Sequence, residues 1–367
     1  MTLRPPAHVA GLVPYVPGKP IEEVERELGI TDSVKLASNE NPVGPSPLAL
    51  AAAREALADV HRYPDDGGWA LRQKLAAHLG FAADGIVVGA GSSELIRLAV
   101  GAYVGPGDEA VMAAPAFVVY KLAVTAAAGR PVEVPCRDFA HDLDAMLAAV
   151  TPRTRIVFVC NPNNPTGTVV TEPAFGRFVD RLPPDLLLVI DEAYIEFVER
   201  SDVPDGLAYL REARPGRPPI LVLRTFSKIY GLAGLRVGYG LTTPAVAADL
   251  NRVRPPFNVS RPALAAAEAA LADRAHLETT RAVTLEGRRY LAEALGRLGL
   301  EVVPSQANFL LVKTPVKGSA LADALLEAGV IVRPVDGYGL PDYVRISVGT
   351  RTENERCVAA LAARLRG

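Results

Sequence analysis

One lysine stands out by its setting. Lys228 follows the apolar run Ile220-Leu221-Val222-Leu223 and the segment Arg224-Thr225-Phe226-Ser227, and Arg236 comes eight positions later, after Gly231-Leu232-Ala233-Gly234-Leu235. A lysine carried to the end of a buried strand is poorly hydrated. Desolvation disfavours the ammonium form and lowers the pKa toward a reactive neutral amine, the state that can form a Schiff base with an aldehyde cofactor. Strand-end lysines are more ordinarily solvated caps, so the chemical reading depends on partners elsewhere in the chain.

Asp191 is such a partner. It follows the aliphatic run Leu186-Leu187-Leu188-Val189-Ile190 and precedes Glu192-Ala193-Tyr194. An aliphatic strand ending in Asp-Glu also suits a nucleotide hydrolase, but the chain has no Gly-x-x-x-x-Gly-Lys-[Ser/Thr] loop to hold the phosphates. The surviving reading is an acid facing a pyridinium nitrogen, which keeps that ring able to accept the electron pair released from a substrate Cα–H bond. Tyr194, three residues on, points toward the same space and can donate to a ring oxygen. Asn164, in Asn164-Pro165-Thr166-Gly167, is a second donor for that oxygen, although Asn, Pro and Gly also make an ordinary turn. Gly91, Ser92 and Ser93 lie where a glycine-rich turn opens a helix, which offers free N–H groups and partial positive charge to a phosphate. Thr225, Ser227 and Arg236 complete that cup, with the arginine as a forked partner. Phe117 is placed to stack on a ring face, or equally to be a core aromatic.

These residues need a scaffold that gathers strand ends. From Gly85 onward, short aliphatic runs alternate with helical stretches: Gly85-Ile86-Val87-Val88 before a helix at 93–104, Glu109-Ala110-Val111-Met112 before Pro115-Ala116-Phe117, and Arg155 to Cys160 before Asn161 to Gly167. Continuous apolar runs between helices predict an α/β domain with a mostly parallel sheet covered on both faces. Ligands of such sheets bind beyond the carboxyl ends of the strands, and every polar cluster above lies at such an end. After about Pro255 a long helical region runs to roughly Gly299. Strand-like Asn308 to Val312, Val344 to Val348 and a closing helix follow. The expected division is an N-terminal arm (1–30), a large cofactor-binding domain (31–255) and a smaller α+β domain (256–367).

Composition narrows the remaining classes. The 367 residues are 49% hydrophobic and carry a net charge of −2, which gives no general attraction to nucleic acid or an anionic membrane surface. Cys136, Cys160 and Cys357 are far apart and odd in number, and the five histidines lack ligand spacing, so neither a disulfide framework nor a metal site is expected. The N-terminus lacks a signal-length apolar core and no run approaches membrane-spanning length, so a soluble cytoplasmic protein is the expectation.

In order and type, Asn164-Pro165-Thr166-Gly167, Asp191-Glu192-Ala193-Tyr194 and Ser227-Lys228 with Arg236 resemble the fold type I pyridoxal-phosphate aminotransferases. Ser38-Asn39-Glu40-Asn41-Pro42, Arg62-Tyr63-Pro64-Asp65, Asn161 to Gly167, Asp191 to Phe197, Arg224 to Tyr239 and Arg345 to Thr350 are similar to the histidinol-phosphate aminotransferase branch, and the resemblance runs from about Tyr15 to the last helix. It implies pyridoxal 5′-phosphate as cofactor, with Lys228 joined to it and shuttling a proton between Cα and C4′. It implies Asp191 on the pyridine nitrogen, Tyr194 and Asn164 on the ring oxygen, and the 91–93 turn with Thr225, Ser227 and Arg236 on the phosphate. Tyr63 would reach that phosphate from the neighbouring subunit, which requires a homodimer with shared sites. Arg345 would hold the substrate's anionic group, with Arg333 and Tyr15 near the substrate phosphate. The chain reads Gly89-Ala90-Gly91-Ser92-Ser93-Glu94 where many relatives have Gly-Asn-Gly-Ser-Asp-Glu, and Val335 to Leu340, on the approach to Arg345, also departs.

The implied reaction is a ping-pong transfer from L-glutamate, leaving 2-oxoglutarate, to imidazole acetol phosphate, giving L-histidinol phosphate in histidine biosynthesis. The same residues leave open an aromatic amino-acid aminotransferase. A phosphate-substrate decarboxylase on the same scaffold, or a binding domain of a regulator, is further away.

Overall fold

The computed structural model describes residues 3–14, 18–212 and 214–366. Its strands are β1 (Val34–Lys35), β2 (Ile86–Gly89), β3 (Glu109–Ala114), β4 (Arg130–Pro135), β5 (Thr154–Cys160), β6 (Leu187–Asp191), β7 (Ile220–Thr225) and β8 (Gly238–Leu241), followed by β9 (Val302–Val303), β10 (Phe309–Lys313), β11 (Val330–Ile331), β12 (Arg333–Pro334) and β13 (Tyr343–Ser347). Seven of them form the main sheet in the order β2-β8-β7-β6-β5-β3-β4. β3 to β7 run parallel, whereas β8 is antiparallel to both β2 and β7.

The unbroken apolar runs have a direct cause in the packing. Alternate residues of each central strand enter different cores: Val157, Val159, Leu188, Ile190 and Val222 pack on one face. Ile156, Phe158, Leu187, Val189, Leu221 and Leu223 pack on the other. With helices on both faces, no position of β6, of β5 beyond Arg155 or of the aliphatic part of β7 needs to meet water, so the period-two signal of a half-exposed strand is absent. β4 sits at the sheet edge, is mostly accessible, and carries Pro131 and Pro135, which cannot donate to a further strand. Glycine lets β8 enter the sheet, since a Cβ on Gly238 would come within 2.8 Å of the Ser92 amide nitrogen and 3.0 Å of the Arg224 carbonyl oxygen.

The helical region expected from Pro255 to Gly299 is two helices, Arg261–Ala270 and Arg274–Arg297. The break falls where Asp273 accepts from the His276 amide as an N-cap; Ser260 caps the preceding helix in the same way through Ala263. Such caps contribute about 1 kcal/mol each. Beyond them, β12-β13-β10-β9 form an antiparallel sheet with its own core.

Packing crosses the 255/256 division in both directions. Ala263, Ala266, Ala267 and Ala270 join the first core of the main sheet. Conversely β1, early in the chain, pairs in parallel with β11, and Val34 and Leu36 join the core of the second sheet. Within the arm, the helix Ile21–Leu28 buries Val24 against Ala37 and Ile331.

Candidate active site

The carboxyl ends of β5, β6 and β7 open into a cavity of about 260 Å³. Topology alone delivers Asp191, the last residue of β6, and Thr225, the last of β7, to this edge, while Asn164 follows the end of β5. β2, separated from β7 by β8, leads to the helix Ser92–Tyr103, whose first turn faces the same space.

Lys228 reaches into this cavity. Its Nζ lies 3.4 Å from the Ser38 carbonyl oxygen and 5.8 Å from the centre of the Tyr194 ring. Burial pushes its pKa down to about 8; the cations Arg345 and Arg236 act in the same direction, against the pull of Glu40 and Asp191. At that value about a tenth of the lysines are neutral at pH 7. The amine is thus poised for both nucleophilic attack and proton transfer.

Asp191 is buried, and both of its oxygens have donors: the Tyr120 hydroxyl at 2.7 Å from Oδ2 and the Ala193 amide at 3.2 Å from Oδ1. Burial raises its pKa, and those two hydrogen bonds, with Lys228, pull it back down. A cationic ring nitrogen in the cavity would add to that pull and favour the carboxylate.

The opposite end of the cavity gathers donors. Gly91 precedes the helix with φ 80, and no side chain caps the first turn. A Cβ on Gly91 would press to 2.7 Å from an Arg236 guanidinium nitrogen, so only glycine lets the turn and the arginine close on one another. Arg236 also contacts the Ser227 hydroxyl at 3.4 Å, and Thr225 accepts from the Ser227 amide at 3.0 Å. Phe117 lines the wall of the cavity and meets Tyr120 edge to face.

Arg345 is the second cation of the cavity, and it is buried. It donates to Asn164 Oδ1 at 2.6 Å and to the Ala37 carbonyl oxygen at 2.9 Å, and lies 5.3 Å from the centre of the Phe309 ring. Its Nε has no partner, and among the described residues no carboxylate pairs with it. A buried guanidinium without a counter-ion is costly, so its natural complement is an anion entering the cavity.

Two expected residues lie outside the cavity lining, and a third is not among the described residues. Tyr63 does not line the cavity of its own chain; it is 77% exposed and stacks on Phe257 at 4.5 Å. Arg333 stands directly opposite Arg345 in the β12–β13 register but outside the cavity lining. Tyr15 lies outside the described residues. Residue types and spacing missed Tyr120, which sits three residues after Phe117, and the role of Asn39, whose amide is 3.0 Å from the Tyr194 hydroxyl across 155 positions of chain. Tyr338 also lines the cavity, in keeping with the expected place of the 335–340 segment beside Arg345. His141 is a further supporting residue: it is buried, and its Nε2 is 3.2 Å from Asn163 Oδ1 in the turn that carries Asn164. Burial pushes His141 down to about 4 and keeps it neutral at ordinary pH. Among the described residues no group of His, Cys, Asp and Glu could hold a metal ion, and no helix is long and apolar enough to cross a membrane.

The sequence pattern of the family described as aminotransferase class I and II matches residues 31–361. A histidinol-phosphate aminotransferase of Anaeromyxobacter sp. (strain Fw109-5) is 54% identical over 363 residues, 98% of each chain. Among solved structures, the histidinol-phosphate aminotransferase of Sinorhizobium meliloti in complex with pyridoxal-5′-phosphate is similar with a TM-score of 0.89 and 32% identity, covering 100% of this chain and 98% of that one. A double mutant of the Thermus thermophilus aspartate aminotransferase gives a TM-score of 0.84 at 28% identity, covering 99% of this chain and 100% of that one. The mixed sheet with flanking helices is therefore the fold type I aminotransferase architecture, and the chain belongs to the class I and II aminotransferases, within the histidinol-phosphate aminotransferase family.

Proposed function

We propose that this protein is a histidinol-phosphate transaminase. It moves an amino group from L-glutamate to imidazole acetol phosphate in two ping-pong stages, releasing 2-oxoglutarate before L-histidinol phosphate is formed. The cofactor is pyridoxal 5′-phosphate, which supplies, when bound, an electron-accepting ring for the pair left on the substrate's α-carbon. Three features of the cavity fit that group: the Gly91 turn that a Cβ would fill against Arg236, the Tyr194 hydroxyl that donates to no described residue, and the acid Asp191 on the cavity wall.

Within this reading Lys228 takes the proton from the substrate's α-carbon and returns it at C4′ of the cofactor, a role its lowered pKa suits. Asp191 keeps the pyridine nitrogen protonated, held in place by Tyr120 and the Ala193 amide. Tyr194 and Asn164 donate to the ring oxygen, Phe117 covers one ring face, and Thr225, Ser227, Arg236 and the 91–93 turn hold the phosphate. Arg345 binds the carboxylate of glutamate. A forked guanidinium accepts a phosphate as readily as a carboxylate, so Arg345 and its neighbour Arg333, with Tyr15, serve both substrates.

The same reading makes the protein a homodimer. Leu57, Val60, Tyr63, Trp69 and Phe257 form an exposed apolar set near the 62–65 segment, the kind of surface that a partner covers. Tyr63 would then reach the phosphate end of the partner's cavity. A cytoplasmic location remains part of the proposal.

The observation that carries the function is the buried, uncompensated Arg345 in the cavity of Lys228 and Asp191. The deciding experiment compares kcat/KM for imidazole acetol phosphate and phenylpyruvate with glutamate as donor. A preference for the phosphate ester of at least about a hundredfold, roughly 2.7 kcal/mol of transition-state binding, is expected. Equal efficiencies would assign the protein to aromatic amino-acid transamination instead.

A further inference from the structure

Two side-chain amides converge on the Tyr194 hydroxyl oxygen, Asn164 Nδ2 at 3.4 Å and Asn39 Nδ2 at 3.0 Å. Neither orientation is arbitrary. Asn164 must present its oxygen to Arg345, which can only donate, so its NH₂ faces Tyr194. For Asn39 the clamp is Ser347, whose Oγ accepts from the Asn39 backbone N–H at 2.8 Å and lies 3.0 Å from Asn39 Oδ1. Turning the Asn39 amide over would leave the serine hydrogen without that acceptor. The Asn39 carbonyl is held in turn by Asn308 Nδ2 at 3.1 Å, and the residue is buried. A phenolic oxygen has two acceptor sites and one hydrogen. With both acceptor sites taken by amides, the hydrogen of Tyr194 is directed away from them, into the cavity.

We propose that Asn39 is a positioning residue of the transamination reaction: clamped by Ser347, it donates to Tyr194 and so aims and strengthens the tyrosine's hydrogen bond to the cofactor's ring oxygen. This rests on the reading that Tyr194 faces that oxygen. Donation from Asn39 polarises the tyrosine O–H, since chained hydrogen bonds strengthen one another in a buried site. The same contact pulls the Tyr194 pKa down against the rise caused by burial. Because Ser347 lies on β13 and Tyr194 just after β6, the clamp also ties the second sheet to the reaction centre.

The test reads the pH midpoint at which the visible absorption band of the loaded enzyme shifts, a quantity set by the charge on the ring oxygen beside the titrating nitrogen. A weaker donor leaves more negative charge on that oxygen, which holds the neighbouring proton more tightly and raises the midpoint. Asn39 has φ 54, so Asn39→Gly keeps the backbone unstrained while deleting the amide. It should raise the midpoint by roughly half to one pH unit, the scale of one hydrogen bond. Asn39→Asp, which replaces the donor by an acceptor and draws the tyrosine hydrogen away from the cavity, should raise it further. Ser347→Ala, which frees the amide to turn, should give a smaller rise and provides the measurement should either Asn39 variant fold poorly. In a Tyr194→Phe background the Asn39→Gly change should add nothing. A purely structural Asn39 would lower thermal stability in both backgrounds and leave the midpoint where it was. If Tyr194→Phe moves the midpoint but the Asn39 and Ser347 variants do not, the proposal is overturned while the reading of Tyr194 stands; if Tyr194→Phe itself has no effect, both fall.

Discussion

Asp191 and Glu192 are consecutive, buried carboxylates at the end of one strand, yet they belong to two differently built regions. On one side, Glu192 is fully answered. The Arg224 guanidinium bridges it at 2.7 Å and Asp205 at 3.1 Å, and the Gly206 amide donates to its other oxygen at 2.6 Å. On the other side, Asp191 meets only neutral donors, and the cavity's cations, Lys228, Arg236 and Arg345, have no carboxylate bridging them among the described residues. Both regions bear the cost of desolvating charge. Only the first offsets it within the protein, so the second is built for a ligand that completes the balance.

The comparison breaks most sharply at Lys228. Lys228→Ala should abolish turnover and the cofactor's visible band, with the fold retained. Mixed dimers then test where the cavity ends: pairing Lys228→Ala subunits with Tyr63→Phe subunits should restore one wild-type site if Tyr63 acts across the interface. Hybrids that retain cofactor only as the average of the two parents would place Tyr63 outside the partner's site.

Next in size is a pair of arginine replacements with opposite signatures. Arg224→Leu strands the buried Glu192 carboxylate and should cost about 3–5 kcal/mol of stability by chemical denaturation, with the activity of the folded fraction largely kept. Arg345→Leu removes a charge that had no counter-ion, which offsets its lost bonds to Asn164 and Ala37. Stability should change by less than about 2 kcal/mol while kcat/KM falls at least about a hundredfold for both substrates. The reverse pattern would dissolve the distinction between the regions.

The smallest effect is a pH shift. Cofactor capture by the apoprotein requires the neutral amine, so its rate should rise with pH through about 8 and level off above that. Arg345→Leu removes a cation that depresses Lys228, and the midpoint should move upward. A wild-type midpoint near the ordinary lysine value would show that Lys228 is not desolvated.

Much of the candidate site's lining was legible because it is written locally. An aliphatic run long enough for a strand, followed at once by a polar residue, states that the residue stands at a sheet edge, and β6 with Asp191 and β7 with Thr225 to Lys228 obey this. The antiparallel β8, Gly238–Leu241, was not legible. Its Gly-Tyr-Gly-Leu carries little strand propensity and is held by pairing to β2 and β7 rather than by its own side chains. Tyr120 reads locally as a helix residue of an apolar face and becomes an Asp191 partner only through packing against Phe158. The break at Asp273 was hidden for the opposite reason, since alanine-rich flanks favour helix on both sides and the cap is one residue.

Sequence alone placed Lys228, Asp191 and the donor-rich turns at strand ends of a layered α/β scaffold, because each placement follows from residues adjacent in the chain. Only the tertiary structure decided which charges stay unpaired and which hydroxyl the amides address. Arg345 meets Asn164 across 181 positions and Asn39 meets Ser347 across 308, and no local pattern encodes a contact made when two sheets close on one cavity. Burial then acts on whatever has been brought together, lowering the lysine and raising the aspartate, so those charge states belong to the folded molecule.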